Sequence, residues 1–271
     1  MRGKVIALIA TLGILAAGCD SGEPRSAGLS KEIESFQFGD ADWYDAVVDT
    51  TVTLKGGLAR RATEVPEFPG GLDWRMLGPP AYTDIDADGD EDAAVGLYSA
   101  GGQMVSQTWF VWLWDGHTAK QVRHPIATSS RCERFIESVT AQGGAFSVRS
   151  SILEAGDACA SGGRTPITYE VGLRDGWPVR TSPDYGPLET CNTHEQTKRV
   201  TPARDLQLRV AADDTSPPIG TRTRFDTVLV EQWQLTLPPD GKPDYEWLLV
   251  TAVRGPEKAC GWTRVADVLG R

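Results

Sequence analysis

The chain has 271 residues, enough for one large or two small domains, and its formal net charge is −10 at pH 7. Recognition of nucleic acid requires a basic face, so a chain this acidic is a poor candidate for nucleic-acid binding, and we expect no nucleic-acid partner. The excess of arginine over lysine is typical of GC-rich bacteria such as actinobacteria.

Residues 1–18 have the composition of a bacterial signal peptide. Arg2 and Lys4 precede an apolar run from Val5 to Ala17, which is too short to span a membrane. The stretch "LAAGC" that follows resembles a lipobox, the signal at which bacterial lipoproteins are cleaved and lipidated. This resemblance implies a mature chain that starts at Cys19 and is held by palmitate-type acyl chains at the extracytoplasmic face of the cell membrane. An ordinary secreted protein with a chance cysteine is the alternative.

Residues 19–35 are small and polar near their start, and they predict a flexible linker between the lipid and the fold. Within them, "SKEIESF" predicts one or two helical turns with Ser30 as the N-cap. A second short helix is predicted at the other end of the chain, in "TRVADVLGR".

Strand signals dominate from residue 36 onward. β-Branched and aromatic segments alternate with turn residues, and Asp115-Gly116 and Asp175-Gly176 are typical hairpin turn pairs. We therefore predict an all-β or β-rich α+β fold of antiparallel sheets, arranged as a sandwich or a partial propeller, with short helices only near the termini. The proline- and glycine-rich stretch at 180–191 predicts a boundary between a β domain over 36–185 and a C-terminal β subdomain over 186–271. One continuous sandwich is the alternative.

The densest acidic stretch is "DIDADGDED", residues 84–92. Its aspartates at positions one, three, five and nine provide carboxylates, and the aspartate at position seven provides a backbone carbonyl. Calcium takes about six to eight oxygen ligands, and Gly89 at position six permits the sharp turn around the ion. The predicted calcium ligands are Asp84, Asp86, Asp88, Asp90 and Asp92. A solvated acidic turn without an ion is the alternative.

The residues after this loop decide which kind of calcium loop it is. Val95 stands where an EF-hand needs a glutamate, and a strand rather than a helix is predicted to follow. The stretch "DIDADGDEDAAV" instead resembles the calcium loop of FG-GAP and VCBS-type β modules, which implies strands on both sides and the same five aspartates as ligands. Such modules are usually repeated in extracellular adhesion or sugar-binding proteins, whereas this loop occurs once.

The segment "TWFVWLWDG" is the most unusual apolar stretch. Alternation places Trp109, Val111 and Leu113 on one face of a strand and Phe110, Trp112 and Trp114 on the other. Two apolar faces predict a central strand that is buried on both sides. The alternative is an aromatic platform in which Trp112 and Trp114 bind sugar rings or a protein partner.

Four cysteines remain after Cys19, and an even number outside the cytoplasm predicts two disulfides. Three pairings are possible. We favour Cys132–Cys159 and Cys191–Cys260, because each then closes a loop within one half of the chain. A zinc site is disfavoured, because no C-x-x-C motif occurs and the histidines are scattered.

Sequence motifs of catalysis are missing: there is no G-x-S-x-G, zincin helix, P-loop or dinucleotide fingerprint. We therefore expect a non-enzymatic binding or accessory protein at the cell envelope, whose partner is an envelope polysaccharide or protein. The alternative is a secreted hydrolase of envelope glycans, since any two carboxylates can converge in a fold. A carboxylate pair in a cleft away from residues 84–92 would favour the hydrolase.

Overall fold

The structure is a computed structural model that describes residues 29–61, 70–130, 134–153, 157–158, 163–192, 195–232 and 245–270. Strands make up most of it, which confirms the predicted β-rich class. In chain order the strands are β1 (Asp42–Asp45), β2 (Thr50–Thr53), β3 (Leu58–Arg61), β4 (Leu72–Thr83), β5 (Asp92–Gly101), β6 (Met104–Trp114), β7 (Ala119–Gln121), β8 (Ala127–Ser130), β9 (Arg134–Gln142), β10 (Ala145–Ile152), β11 (Thr165–Arg174), β12 (Trp177–Ser182), β13 (Lys198–Val200), β14 (Leu206–Arg209), β15 (Pro218–Thr223), β16 (Thr227–Val230), β17 (Trp247–Arg254) and β18 (Glu257–Arg264). Two 3₁₀ turns (Glu32–Ser35 and Phe38–Asp40) precede them, and one helix, α1 (Val265–Leu269), follows.

The first large sheet is an antiparallel meander in the order β3-β4-β5-β6-β7, with β8 also paired to β6. Strand β5 is buried on both faces from Asp92 to Leu97, and β6 is buried on both faces from Phe110 to Trp112. On one face, Phe110 and Trp112 pack with residues of the β1–β2 hairpin and of the N-terminal 3₁₀ turns. The Trp43 ring lies 4.9 Å from the Trp112 ring, and its Nε1 donates a hydrogen bond of 2.8 Å to the Phe38 carbonyl.

The opposite face of this sheet packs against a second antiparallel sheet, ordered β12-β11-β10-β9. Val111 from β6 shares an apolar core with Val139, Phe146 and Val171 from the second sheet. The two sheets therefore form a sandwich, and strand β6 is central to both cores, as its two apolar faces predict.

A third antiparallel sheet has the order β13-β16-β17-β18-β14-β15. Its core is formed by strand residues from β13 onward and by Val265 and Val268 of α1. The second core reaches Leu188, close to the predicted boundary after residue 185. That boundary stays a prediction.

The fold begins earlier than residue 36, where the β domain was predicted to start. Ile33 is fully buried in the first core, and Ser30 forms a parallel bridge with Asp90. The predicted helical turn is a 3₁₀ turn preceded by Lys31, which makes no side-chain cap, so the prediction of Ser30 as N-cap was wrong. Ser30 pairs with the backbone of the acidic loop instead, because its amide donates to Gly89 and its carbonyl accepts from Glu91.

Candidate functional site

The acidic loop joins two central strands of the first sheet. Strand β4 ends at Thr83, β5 begins at Asp92, and these two residues are paired across the ladder. A strand therefore precedes the loop and another follows it. This is the predicted strand-loop-strand arrangement, whereas an EF-hand would have helices on both sides.

Three of the predicted ligands converge. Asp84, Asp86 and Asp88 each offer a carboxylate oxygen, and these oxygens lie within 4.8 Å of one another. Burial, followed by the charge of Asp88, raises the pKa of Asp86. Like charges this close destabilise the loop, and a divalent cation bound between them would offset the repulsion.

The loop backbone is arranged around Asp84. Its Oδ1 accepts a hydrogen bond of 3.2 Å from the Asp88 amide, and its Oδ2 accepts one of 3.1 Å from the Gly89 amide. Gly89 has φ +98° and Ala87 has φ +64°, so the chain turns twice through the left-handed region. The loop is therefore tightly turned over the same residues whose carboxylates converge.

Asp92 has a different role from the three clustered aspartates. Its side chain is fully buried, with Oδ2 accepting from the Ile85 amide and Oδ1 from the Trp114 amide, both at 3.0 Å. Burial raises the pKa of Asp92 to about 7. Asp92 therefore ties the loop to the end of β6, and its participation as a metal ligand stays a prediction. The same holds for Asp90, whose amide donates to Asp88 Oδ1 at 2.9 Å.

Trp112 and Trp114 do not form a binding platform. They are only 3% and 8% exposed, and both belong to the first core. The rings of Phe36, Phe38 and Trp43 surround Trp112. The platform alternative was wrong because the β1–β2 hairpin and the 3₁₀ turns cover this face of the sheet.

A disulfide joins Cys191 to Cys260, which is one of the two predicted pairs. Their Cα atoms are 5.7 Å apart, and the bond connects the segment before β13 to strand β18. The other predicted pair, Cys132–Cys159, and the predicted lipidation site Cys19 lie outside the described residues.

A cleft that the sequence did not predict lies where the second sheet meets the segment leading to the third. It encloses about 550 Å³. Its wall includes Trp177 at the start of β12, whose ring stacks on His124 with centroids 3.8 Å apart and planes inclined by 18°. Burial lowers the pKa of His124, which favours its neutral imidazole.

Polar groups of both signs line the same cleft. Arg134 donates to the Leu188 carbonyl at 3.4 Å, and Glu189 Oε2 accepts from Trp262 Nε1 at 3.3 Å. Burial, followed by the charge of Glu231, raises the pKa of Glu195. The cleft thus combines an aromatic wall with hydrogen-bond donors and acceptors.

Comparison with protein-family models, with curated proteins and with solved structures finds no match for this chain. Among the residues that the structure describes, no helix is long and apolar enough to cross a membrane.

Proposed function

We propose that this chain is a lipid-anchored extracytoplasmic protein that binds an envelope polysaccharide or protein without catalysing a reaction, and that calcium stabilises its acidic loop. The observation that supports the calcium site is the convergence of three carboxylates within 4.8 Å. Carboxylate oxygens are ligands that suit calcium. Extracellular modules bind calcium with a Kd of about 10⁻⁴–10⁻³ M.

The ion would be held by the carboxylates of Asp84, Asp86 and Asp88, with the Asp90 carbonyl as a further ligand. Its role would be structural, because the loop closes the hairpin of two central strands and also pairs with Ser30. Ordering this loop would therefore stabilise the part of the first core that is next to the loop, where Ser30 pairs with Asp90.

The anchor places this part of the molecule near the membrane. Eleven peptide steps separate Cys19 from Ser30, and an extended chain of that length reaches about 40 Å at most. Ser30 contacts the acidic loop directly, so the loop would lie within that distance of the lipid surface.

The anchor is tested by the substitution Cys19→Ser in the full chain, expressed in a bacterium that processes lipoproteins. The unsubstituted chain should sediment with membranes and incorporate labelled palmitate, whereas the variant should appear in the soluble fraction without label. Unlabelled, soluble wild-type chain would refute the anchor.

The binding function is tested by co-sedimentation of the detergent-purified full chain with insoluble cell-wall polysaccharide, in calcium and in chelator. We expect the chain to pellet with the polymer in calcium, and to pellet less in chelator. A chain that stays in the supernatant under both conditions would contradict polysaccharide binding.

Hydrolysis of an envelope glycan is a second candidate function, because Glu189 and Glu195 both line the cleft and lie far from the acidic loop in sequence. In such a reaction one carboxyl protonates the leaving oxygen while the other carboxylate takes a proton from the attacking water. The raised pKa of Glu195 would suit the acid.

Release of new reducing ends from the same polysaccharide separates the two functions. A hydrolase should release them steadily, and Glu195→Gln should abolish the release. Binding without any release of reducing ends would exclude the hydrolase.

A further inference from the structure

We infer that the cleft beside Trp177 binds an uncharged sugar unit, with the Trp177 ring as the surface on which the sugar ring packs. The inference rests on the proposed binding function and names the chemical class of its ligand. It does not depend on calcium in the acidic loop.

The size of the cleft suits a small ligand. Its volume of about 550 Å³ falls within the range of roughly 300–1,000 Å³ that is usual for ligand pockets. It lies between the second sheet, residues 124–128 and residues 188–192, and Glu195 and Ala211 also contribute to its lining. A ligand there would contact both halves of the chain at once.

The aromatic wall matches the apolar face of a sugar ring. Trp177 is half-buried, so part of its surface is open to the cleft, and His124 stacked against it fixes the orientation of the ring. A pyranose ring carries C–H groups on one face, and packing that face on an aromatic ring removes apolar area from water from both partners. A ring that is already held in place loses little conformational entropy when a ligand binds.

The polar lining matches hydroxyl groups, which both donate and accept hydrogen bonds. The carboxylates of Glu189 and Glu195 already accept from Trp262 and from Asn192, and each has further lone pairs for a ligand. Arg134 and Asn192 carry more N–H groups than their present hydrogen bonds use, so they provide the donors. A ligand that offered only acceptors or only donors would use half of this set. A sugar with several hydroxyls can use both.

The charges of the lining favour a neutral ligand. The described lining has one guanidinium and two carboxylates, and near His124 the negative charge of Asp213 is opposed by the positive charge of Arg123. An anionic ligand would have to approach these carboxylates. Among the lining residues that the structure describes, the one cation is Arg134, which already donates to the Leu188 carbonyl. A phosphate or a uronate is therefore disfavoured.

The test is calorimetric titration of the full chain in a polyoxyethylene detergent, because detergents with sugar head groups would compete for the cleft. The probes are cellobiose, N,N′-diacetylchitobiose and trehalose as neutral sugars, with glucosamine and glucuronate as charged ones. At least one neutral disaccharide should bind and should outcompete both charged sugars. Trp177→Ala should weaken its binding about tenfold, as expected for the loss of one aromatic contact.

Trp247→Ala is the matched control. Trp247 is a half-buried tryptophan of the third sheet whose ring contacts Arg264, and it does not line the cleft. This variant should keep the affinity of the unsubstituted chain. If Trp177→Ala fails to fold, Glu195→Gln serves instead, and it should weaken binding without lowering the melting temperature by more than the control does.

Three results would overturn the inference: no binding of any neutral disaccharide up to its solubility, binding of glucosamine or glucuronate alone, or equal affinity in the Trp177 and Trp247 variants. Its failure is distinguishable from that of the proposed function. A chain that still pellets with cell-wall polysaccharide after Trp177→Ala would retain the binding function and place it elsewhere.

Discussion

The acidic loop predicts a measurable dependence of stability on calcium. An ion that binds only the folded state adds RT ln(1 + [Ca²⁺]/Kd), which is about 1.4–2.7 kcal/mol at roughly 10 mM calcium for the affinities usual in extracellular modules. In a protein of this size each kcal/mol shifts the melting temperature by about 2–4 °C. The full chain should therefore melt roughly 3–11 °C higher in calcium than in chelator.

Asp88→Asn identifies the source of this shift. The substitution removes one of the three converging carboxylates but keeps an oxygen that can accept from the Asp90 amide. The calcium response should fall to a small fraction of the original. In chelator the variant should be at least as stable as the unsubstituted chain, because repulsion with Asp84 and Asp86 is relieved.

Asp205→Asn is the matched control. Asp205 is exposed and precedes β14, and its substitution changes the net charge by the same amount as Asp88→Asn. Differential scanning calorimetry at low ionic strength provides the measurement for all three proteins. Equal melting temperatures in calcium and chelator would refute the site, and so would an Asp88→Asn variant that responds as fully as the control.

Three further predictions concern the described residues outside this loop. Cys260→Ser opens a disulfide with a sequence separation of 69 residues, and it should lower the free energy of unfolding by about 4 kcal/mol in urea titrations. Trp112→Ala should cost about 3–5 kcal/mol in the same assay, as expected of a buried core residue, and a near-neutral effect would contradict its placement in the core. Burial and Arg123 lower the pKa of His124, while Asp213 opposes them. The neutral side chain therefore contributes its full share of the free energy of unfolding above pH 6.5, and this contribution is lost as the pH falls through the lowered pKa. His124→Gln should flatten that part of the stability profile, and an unchanged profile would exclude His124 as its cause.

Local patterns in the sequence were sufficient for much of the fold. Alternation in β6 predicted that Val111 and Trp112 face different cores, and they do. The pair Asp175-Gly176 predicted a two-residue hairpin, and both residues have positive φ between the paired residues Arg174 and Trp177. These features depend on residues that are close together in the chain, so the alternation of apolar side chains and the turn dipeptide were sufficient to predict them.

The roles of Asp92 and of the cleft could not be predicted in that way. The spacing of the loop makes Asp92 equivalent to Asp84 as a ligand, but only the fold shows that its oxygens accept from Ile85 and from Trp114, which is 22 residues away. The cleft combines residues between His124 and Ala211, so no local pattern brings its aromatic and polar groups together.

The disulfide and the cleft are physically connected, which yields a last prediction. Cys191 lies between Thr190 and Asn192, both of which line the cleft, and Cys260 holds it to strand β18. Glu189 reaches the same strand through Trp262. Gln196 adds two hydrogen bonds to strand β17, because its amide nitrogen donates to the Leu249 carbonyl and its oxygen accepts from Thr251. The wall that carries the polar groups is therefore attached to the third sheet by one covalent bond and by these hydrogen bonds.

Removing the disulfide should loosen that wall and weaken sugar binding even where the protein remains folded. A double substitution of Cys191 and Cys260 by serine should raise the Kd for the neutral disaccharide by about two- to tenfold, because ordering each long side chain on binding costs roughly 0.5–1.5 kcal/mol. The titration is performed well below the melting temperature of the variant, with Trp247→Ala as the control. The hydrogen bond from Arg134 to the Leu188 carbonyl does not depend on the disulfide, so it would still position part of the segment. Sugar binding should therefore be weakened and not abolished. An unchanged Kd would show that the segment is positioned by its hydrogen bonds alone.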